Sequence, residues 1–297
     1  MRNRYTSVAI LLAMLAAVSC SACGRVAVAA QTKTNAVNVH SLKARKRTRS
    51  GSASVSRRLT AQQRLTAAVA PPIQADGGQM AVAVDDLTTG TEATYHGTTE
   101  FATASIVKVD ILATLLYELH RSGQTMTDED QDLATAMIEN SDNDAASALY
   151  ADIGGPEDLD QANQAFGLTG TTAGTDGEWG LTSTTVDDQI RLLRQITVPS
   201  SVLPPSSQAY VQDLMGEVET DQQWGVPTAA DPGSRYLVKN GWLPNPALWS
   251  INSIGEISHD QDQLLVAVLS AGNPTEDSGI SAVQAVVQKA ADAMTGG

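Results

Sequence analysis

The feature that most constrains the fold is the position of the two hydrophobic periods along the chain. Met80 to Asp86 and Glu92 to His96 read as strands, with Thr88-Thr89-Gly90-Thr91 as the turn between them. Tyr236 to Lys239, Leu248 to Ile257 and Gln263 to Leu269 are strand-like again. Most of what lies between reads as helix. Val109, Leu112, Leu116 and Leu119 recur at three- and four-residue spacing, with Gly123 as a stop. Further helical runs cover 128–139, 145–152, the segment from Pro156 to Gly167, and about 206–215. Thr184 with Asp187 suggests a capping box for a helix carrying Val186, Ile190, Leu193 and Ile196, and 281–294 closes the chain as an amphipathic helix. Residues 168–183 have no period and read as a loop. Strands from both ends with helices between them predict an α/β (α+β) fold, one antiparallel sheet flanked by helices and carrying an inserted helical lobe.

Charge divides the chain. Residues 1–65 hold 12 of the 19 basic residues and no acidic one, so the remainder carries 7 basic and all 33 acidic residues. An acidic body behind a basic leader carries no nucleic-acid footprint. Arg2 and Arg4 followed by the apolar run Val8 to Val18 read as a secretory signal over 1–30, too short to span a bilayer comfortably. Cys20 and Cys23 each follow small residues and fit a lipoprotein cleavage site; cleavage after Ala27-Val28-Ala29, or an uncleaved anchor, are the other routes. Residues 31–72, including Lys43-Ala-Arg-Lys-Arg-Thr-Arg49, read as a basic disordered linker, either drawn to anionic lipid or wall polymer or a plain solvated tether. The domain is expected over 73–297, with a globular pattern from near Gly77. Processing at either site leaves it without cysteine, which excludes disulfides and thiol catalysis there. His40, His96, His120 and His259 lack metal-ligand spacing, and neither a G-x-S-x-G elbow nor a phosphate-binding glycine loop occurs.

Three short motifs carry chemistry. Ser105 and Lys108 share one helix face, so the amine can reach the hydroxyl, and burial would favour the uncharged amine that a base must be. Ser141-Asp142-Asn143 lies at a break between helices, where a hydroxyl can relay a proton and an amide can orient a carbonyl. Lys239-Asn240-Gly241 ends a predicted strand, where a cation can hold a carboxylate and glycine permits close approach. Each has a plainer explanation alone: a helix cap, a polar turn, a strand terminus. Together, S-x-x-K, S-D-N and K-x-G occur once each, in this order and in these settings.

From about Gly77 onward the chain therefore resembles the class A β-lactamase and penicillin-binding protein superfamily. Ile153-Gly-Gly-Pro156, Thr184-Thr185 and Gly225-Val-Pro227 add local likeness. The resemblance implies that Ser105 is acylated, that Lys108 takes or relays its proton, and that Ser141 passes a proton to the leaving nitrogen. It further implies that Asn143 binds the substrate amide, that Lys239 and Asn240 bind its carboxylate, and that the N–H groups of Ser105 and Trp242, beside Gly241, form an oxyanion hole. No cofactor or metal is implied. The expected partner is a small β-lactam or a cell-wall peptide, the protein a monomer, and its place the outer face of the membrane or the exterior, reached by lipid anchor and basic linker. Trp179 and Trp242 are expected to border the cleft.

The likeness has departures. Ser105 and Ser141 are only 36 positions apart, shorter than in typical class A enzymes, and Asn240 stands where threonine is usual. In the loop between Gly167 and Thr184, Glu178-Trp-Gly-Leu181 imitates the start of the family's E-x-x-L-N, but Thr182 replaces the asparagine and the rest is shortened. Glu178 is either the base that activates water for deacylation or a solvated loop carboxylate. Three functions stay open: a β-lactamase-like hydrolase, a D,D-peptidase or penicillin-binding activity with slow deacylation, and a non-catalytic envelope lipoprotein that binds through this fold.

Overall fold

The computed structural model describes residues 59–77, 79–245 and 247–296. The signal segment, both cysteines and most of the basic linker lie outside the described residues. Five antiparallel strands form one sheet in the order β2-β1-β7-β6-β5: β1 (Gln79–Asp86), β2 (Thr91–Tyr95), β5 (Leu237–Asn245), β6 (Leu248–His259) and β7 (Asp262–Asn273). The first and last parts of the chain thus share a sheet, with Val82 opposite Val268.

Both faces of this sheet are buried, and alternation sorts its side chains. Met80, Val82, Val84, Leu264, Val266 and Val268 pack against α1 (Ala61–Asp76) and α8 (Glu276–Thr295). Ala81, Ala83, Leu265, Ala267 and Leu269 face the other way, towards the inserted lobe. That lobe comprises α2 (Val107–Ser122), α3 (Asp128–Glu139), α4 (Asn143–Asp152), α5 (Pro156–Phe166), α6 (Val186–Thr197) and α7 (Pro205–Gly216). Two short strands, β3 (Phe101–Ala102) and β4 (Ser183–Thr184), pair where the lobe joins the sheet. The antiparallel sheet flanked by helices with an inserted helical lobe is the expected architecture.

Helix α1 is a correction. The folded part begins at Ala61, inside the segment read as linker to position 72. Thr60 and Gln63 form a capping box, and Leu65, Val69 and Ile73 are buried at four-residue spacing. Pro71 and Pro72 within the helix hide the pattern, since proline normally ends one. Leu65 is fully buried, so Leu65→Ala is expected to cost about 2–5 kcal/mol of unfolding free energy, read by urea denaturation; a solvated tether would lose nothing.

Two boundaries also move. Thr185, not Thr184, caps α6, its hydroxyl accepting from Asp188 N; the Thr184 hydroxyl instead meets Thr171 Oγ1 and Gln189 Nε2. Lys239-Asn240-Gly241 lies inside β5, which runs on to Asn245.

Candidate active site

The nucleophile candidate sits on a strained turn. A single 3-10 turn, Ala104–Ile106, precedes α2, and Ala104 holds φ +48°, which costs a non-glycine residue free energy that its surroundings must offset. Those surroundings are hydrogen bonds from two sides and a close backbone approach from a third. The buried Asn252 on β6 donates to Ala102 O and Thr103 O, both at 2.9 Å, while Thr103 N donates to Thr182 O at 2.8 Å. Gly241 completes the clamp: a Cβ there would lie 2.8 Å from Ser105 N and 2.8 Å from Thr103 O. Glycine is required at this position because two backbones meet there.

The Ser141-Asp142-Asn143 turn is built to aim both of its end residues at Lys108. Asp142 caps α4, accepting from Ala145 N at 2.8 Å. That cap leaves Asn143 as the first helical residue, and Ser141 just outside the helix adopts φ +58°. Lys108, fully buried, gathers the group together. Its Nζ lies 3.1 Å from Ser105 Oγ, 3.1 Å from Ser141 Oγ, 2.6 Å from Ser141 O and 2.8 Å from Asn143 Oδ1. Burial pushes its pKa down to about 8, against the opposing pull of Asp142.

Lys239 is the second buried cation, on the edge strand β5. Among the described residues its Nζ has one acceptor, Asn240 O at 3.4 Å, and burial first, then the charge of Lys108, lowers its pKa to about 7. Asn240 departs from its expected role. It is fully buried, and its amide donates to Gln222 O at 2.7 Å and Trp224 O at 2.9 Å, so the side chain ties down the segment before β5. A cleft of about 340 Å³ opens over the site, with Ser105, Asn143, Glu178, Trp179 and Trp242 on its walls. Trp242 and Trp179 thus border the cleft as expected.

Glu178 faces the cleft from an exposed loop, and its carboxylate makes no hydrogen bond among the described residues. Thr182, at the position of the family's asparagine, turns inward: it is fully buried and its Oγ1 accepts from Gly174 N at 3.0 Å, closing the base of the loop. Beside Glu178, the Trp179 ring lies 4.9 Å from Lys108 Nζ, a contact that residue spacing does not foretell. Asn252 was equally invisible in the motifs; its only signal is a polar residue within an otherwise buried strand.

Comparison with known proteins bears on the fold and the family. The model of the beta-lactamase enzyme family matches residues 60–130 and 124–294. Proteins named "Putative lipoprotein LppW" in Mycobacterium tuberculosis and Mycobacterium bovis are 28% identical over 211 residues, covering 68% of this chain. The chain spans 66% of the length of these relatives, just under two thirds. Among solved structures, the TLA-1 extended spectrum beta-lactamase superposes with a TM-score of 0.71 at 15% identity, covering 79% of this chain and 99% of its own. A class A beta-lactamase from Bacteroides cellulosilyticus gives 0.69 at 15%, covering 81% and 100%. A mutant of the reconstructed last common ancestor of Gram-negative class A beta-lactamases gives 0.67 at 22%, covering 78% and 99%. These structures share the fold, and the family match extends over nearly all the described residues: the chain belongs to the beta-lactamase enzyme family.

Proposed function

We propose that this protein is a serine hydrolase that opens a β-lactam or related amide through an acyl-Ser105 intermediate and releases the acyl group slowly. The observation carrying this reading is the Lys108 amine, buried, depressed to about 8, and within hydrogen-bond reach of both Ser105 Oγ and Ser141 Oγ. Uncharged Lys108 takes the Ser105 proton as Oγ attacks the carbonyl carbon. The proton then passes through Ser141 Oγ to the amide nitrogen, the C–N bond breaks, and an ester on Ser105 remains. The amides of Ser105 and Trp242 stabilise the oxyanion, Asn143 orients the substrate amide, and Lys239 draws its carboxylate. Hydrolysis of the ester by water completes the cycle.

Slow release rests on Glu178, which is exposed and whose carboxylate makes no hydrogen bond among the described residues. Loss of a general base costs about 10²–10⁴-fold; Glu178→Gln is expected to lengthen the ester lifetime far less than that. A trapped acyl-enzyme in this variant would instead make Glu178 the base and the protein a rapid β-lactamase. The same geometry serves a D,D-peptidase acting on wall peptides, and a wall-peptide substrate competing with the label favours that reading.

The primary test is labelling by a fluorescent penicillin beside turnover of a chromogenic cephalosporin. Stoichiometric labelling lost in Ser105→Ala is expected, with turnover limited by release. No labelling, and binding of wall fragments unchanged in Ser105→Ala, would leave the protein a non-catalytic binding module. Cys20 and Cys23 and the lipoprotein relatives support export and lipid anchoring at the outer face of the membrane.

A further inference from the structure

We propose that Trp179 is a positioning residue that seals the open side of the Ser105–Lys108 pair against water and so prolongs the acyl-enzyme. The inference rests on the acyl-serine reading above and adds what controls the lifetime of that ester.

Four observations converge on the indole. Its ring lies 4.9 Å from Lys108 Nζ, inside the distance of about 6 Å at which a cation and an aromatic face attract. The remaining partners of Nζ come from Ser105, Ser141 and Asn143, and no carboxylate oxygen reaches it among the described residues. The ring is fixed in place: its Nε1 donates to Ser147 Oγ at 3.1 Å, and that hydroxyl donates to Asn143 O at 2.9 Å, one helical turn back on α4. The backbone under it is fixed as well. Leu181 N donates to Glu178 O at 2.8 Å, Thr103 Oγ1 to Gly180 O at 3.4 Å, and Thr103 N to Thr182 O, so the turn bearing Trp179 is stitched to the turn bearing Ser105.

The consequence concerns deacylation. Release requires a water oxygen to attack the ester carbonyl while its proton goes to a base, after which Ser105 Oγ leaves and regains a proton. A water activated from the loop side would have to stand between that loop and Lys108. There the indole stands, while the adjacent Glu178, on the exposed loop, makes no hydrogen bond to Lys108 among the described residues. Sequence places a glutamate at the loop; the fold places its neighbour against the amine.

The test compares Trp179→Ala and Trp179→Phe with the unaltered protein, after thermal melts show all three folded. With fluorescent penicillin, Trp179→Ala is expected to shorten the ester lifetime by about tenfold or more, and Trp179→Phe, which keeps the ring but loses the bond to Ser147, to restore most of it. Hydration of the Lys108 face in Trp179→Ala also moves the midpoint of the acylation pH profile upward, towards ordinary lysine. A folded Trp179→Ala protein with unchanged lifetime and midpoint overturns the proposal. If the unaltered protein forms no acyl-enzyme, the acyl-serine reading falls, and the placement of Trp179 is read by fluorescence. An ammonium quenches an adjacent indole, so the unaltered protein is expected to brighten as Lys108 loses its proton, a step absent from both Trp179→Phe and Lys108→Met. The same step persisting in Trp179→Phe overturns the contact itself.

Discussion

Replacing Lys108 by methionine is expected to slow acylation of Ser105 by about 10³-fold, within the range for removing a positioned base. The amine is the one group that touches both hydroxyls of the proposed proton path, at 3.1 Å each, so its loss breaks the path at two points. The pH dependence gives the sharper reading. Lys108 must be uncharged to accept a proton, and burial brings its pKa down from 10.5 to about 8. At saturating label, where the charge of Lys239 no longer limits binding, acylation of the unaltered protein therefore rises with pH through about 8 and levels above it, whereas Lys108→Met is flat there. Stopped-flow labelling across this range checks both outcomes; an unaltered profile in the variant would remove Lys108 from the proton path. Methionine matches the volume of the stem, but Ser141 O and Asn143 Oδ1 lose their donor, at about 1–3 kcal/mol for each buried acceptor left unpaired. Relief of a buried charge offsets part of this cost, so a folded protein with a modestly changed melting temperature is expected.

What the sequence makes legible is what local geometry decides. Ser105 and Lys108 meet because one helical turn separates them. Ser141 and Asn143 turn towards that pair because Asp142 caps α4 between them. Strands β1, β6 and β7 show as apolar, strand-like runs because both faces of the sheet are buried. The misses arise where distant parts of the chain decide. Helix α1 is stable because it packs on α8 and the sheet, despite Pro71 and Pro72, and no local propensity reports that. Asn240 occupies the position of a substrate-binding threonine, yet two backbone carbonyls from the segment before β5 claim its amide. Thr182 closes a loop through Gly174, and Trp179, next to the glutamate that the motif offers as a base, lies against Lys108. In the proposed mechanism the three motifs carry acylation, and deacylation depends on how one short loop is folded.

Lys239→Met is expected to stabilise the protein while impairing it. Among the described residues, fully buried Lys239 has no counter-ion and a single long contact to Asn240 O, so the charged form lacks compensation. Burial, helped by the charge of Lys108, lowers its pKa from 10.5 to about 7. Between about pH 7 and the ordinary lysine value near 10.4, the unfolded chain therefore binds a proton that the folded chain does not, and stability rises with pH across this window. Below about 7 both states are charged and the full penalty is present. Methionine at this position is expected to raise unfolding free energy at mildly acidic pH by on the order of 3 kcal/mol, discounted from the full shift because the two amines are coupled. It also flattens the rise that starts near pH 7, leaving the weaker contribution of Lys108 from about 8 upward. Denaturant titrations at several pH values read both effects. The cost falls on binding: a substrate carboxylate would supply the counter-charge that Lys239 lacks, and its loss is expected to lower the second-order acylation constant by about tenfold or more, the equivalent of one charge-assisted hydrogen bond. A variant that is more stable yet slower to acylate would show that the unpaired cation is kept for the ligand, in the manner of a site that gives up stability for function. If instead Lys239→Met destabilises the protein, the ammonium has a compensating role within the fold, and its assignment to the substrate fails.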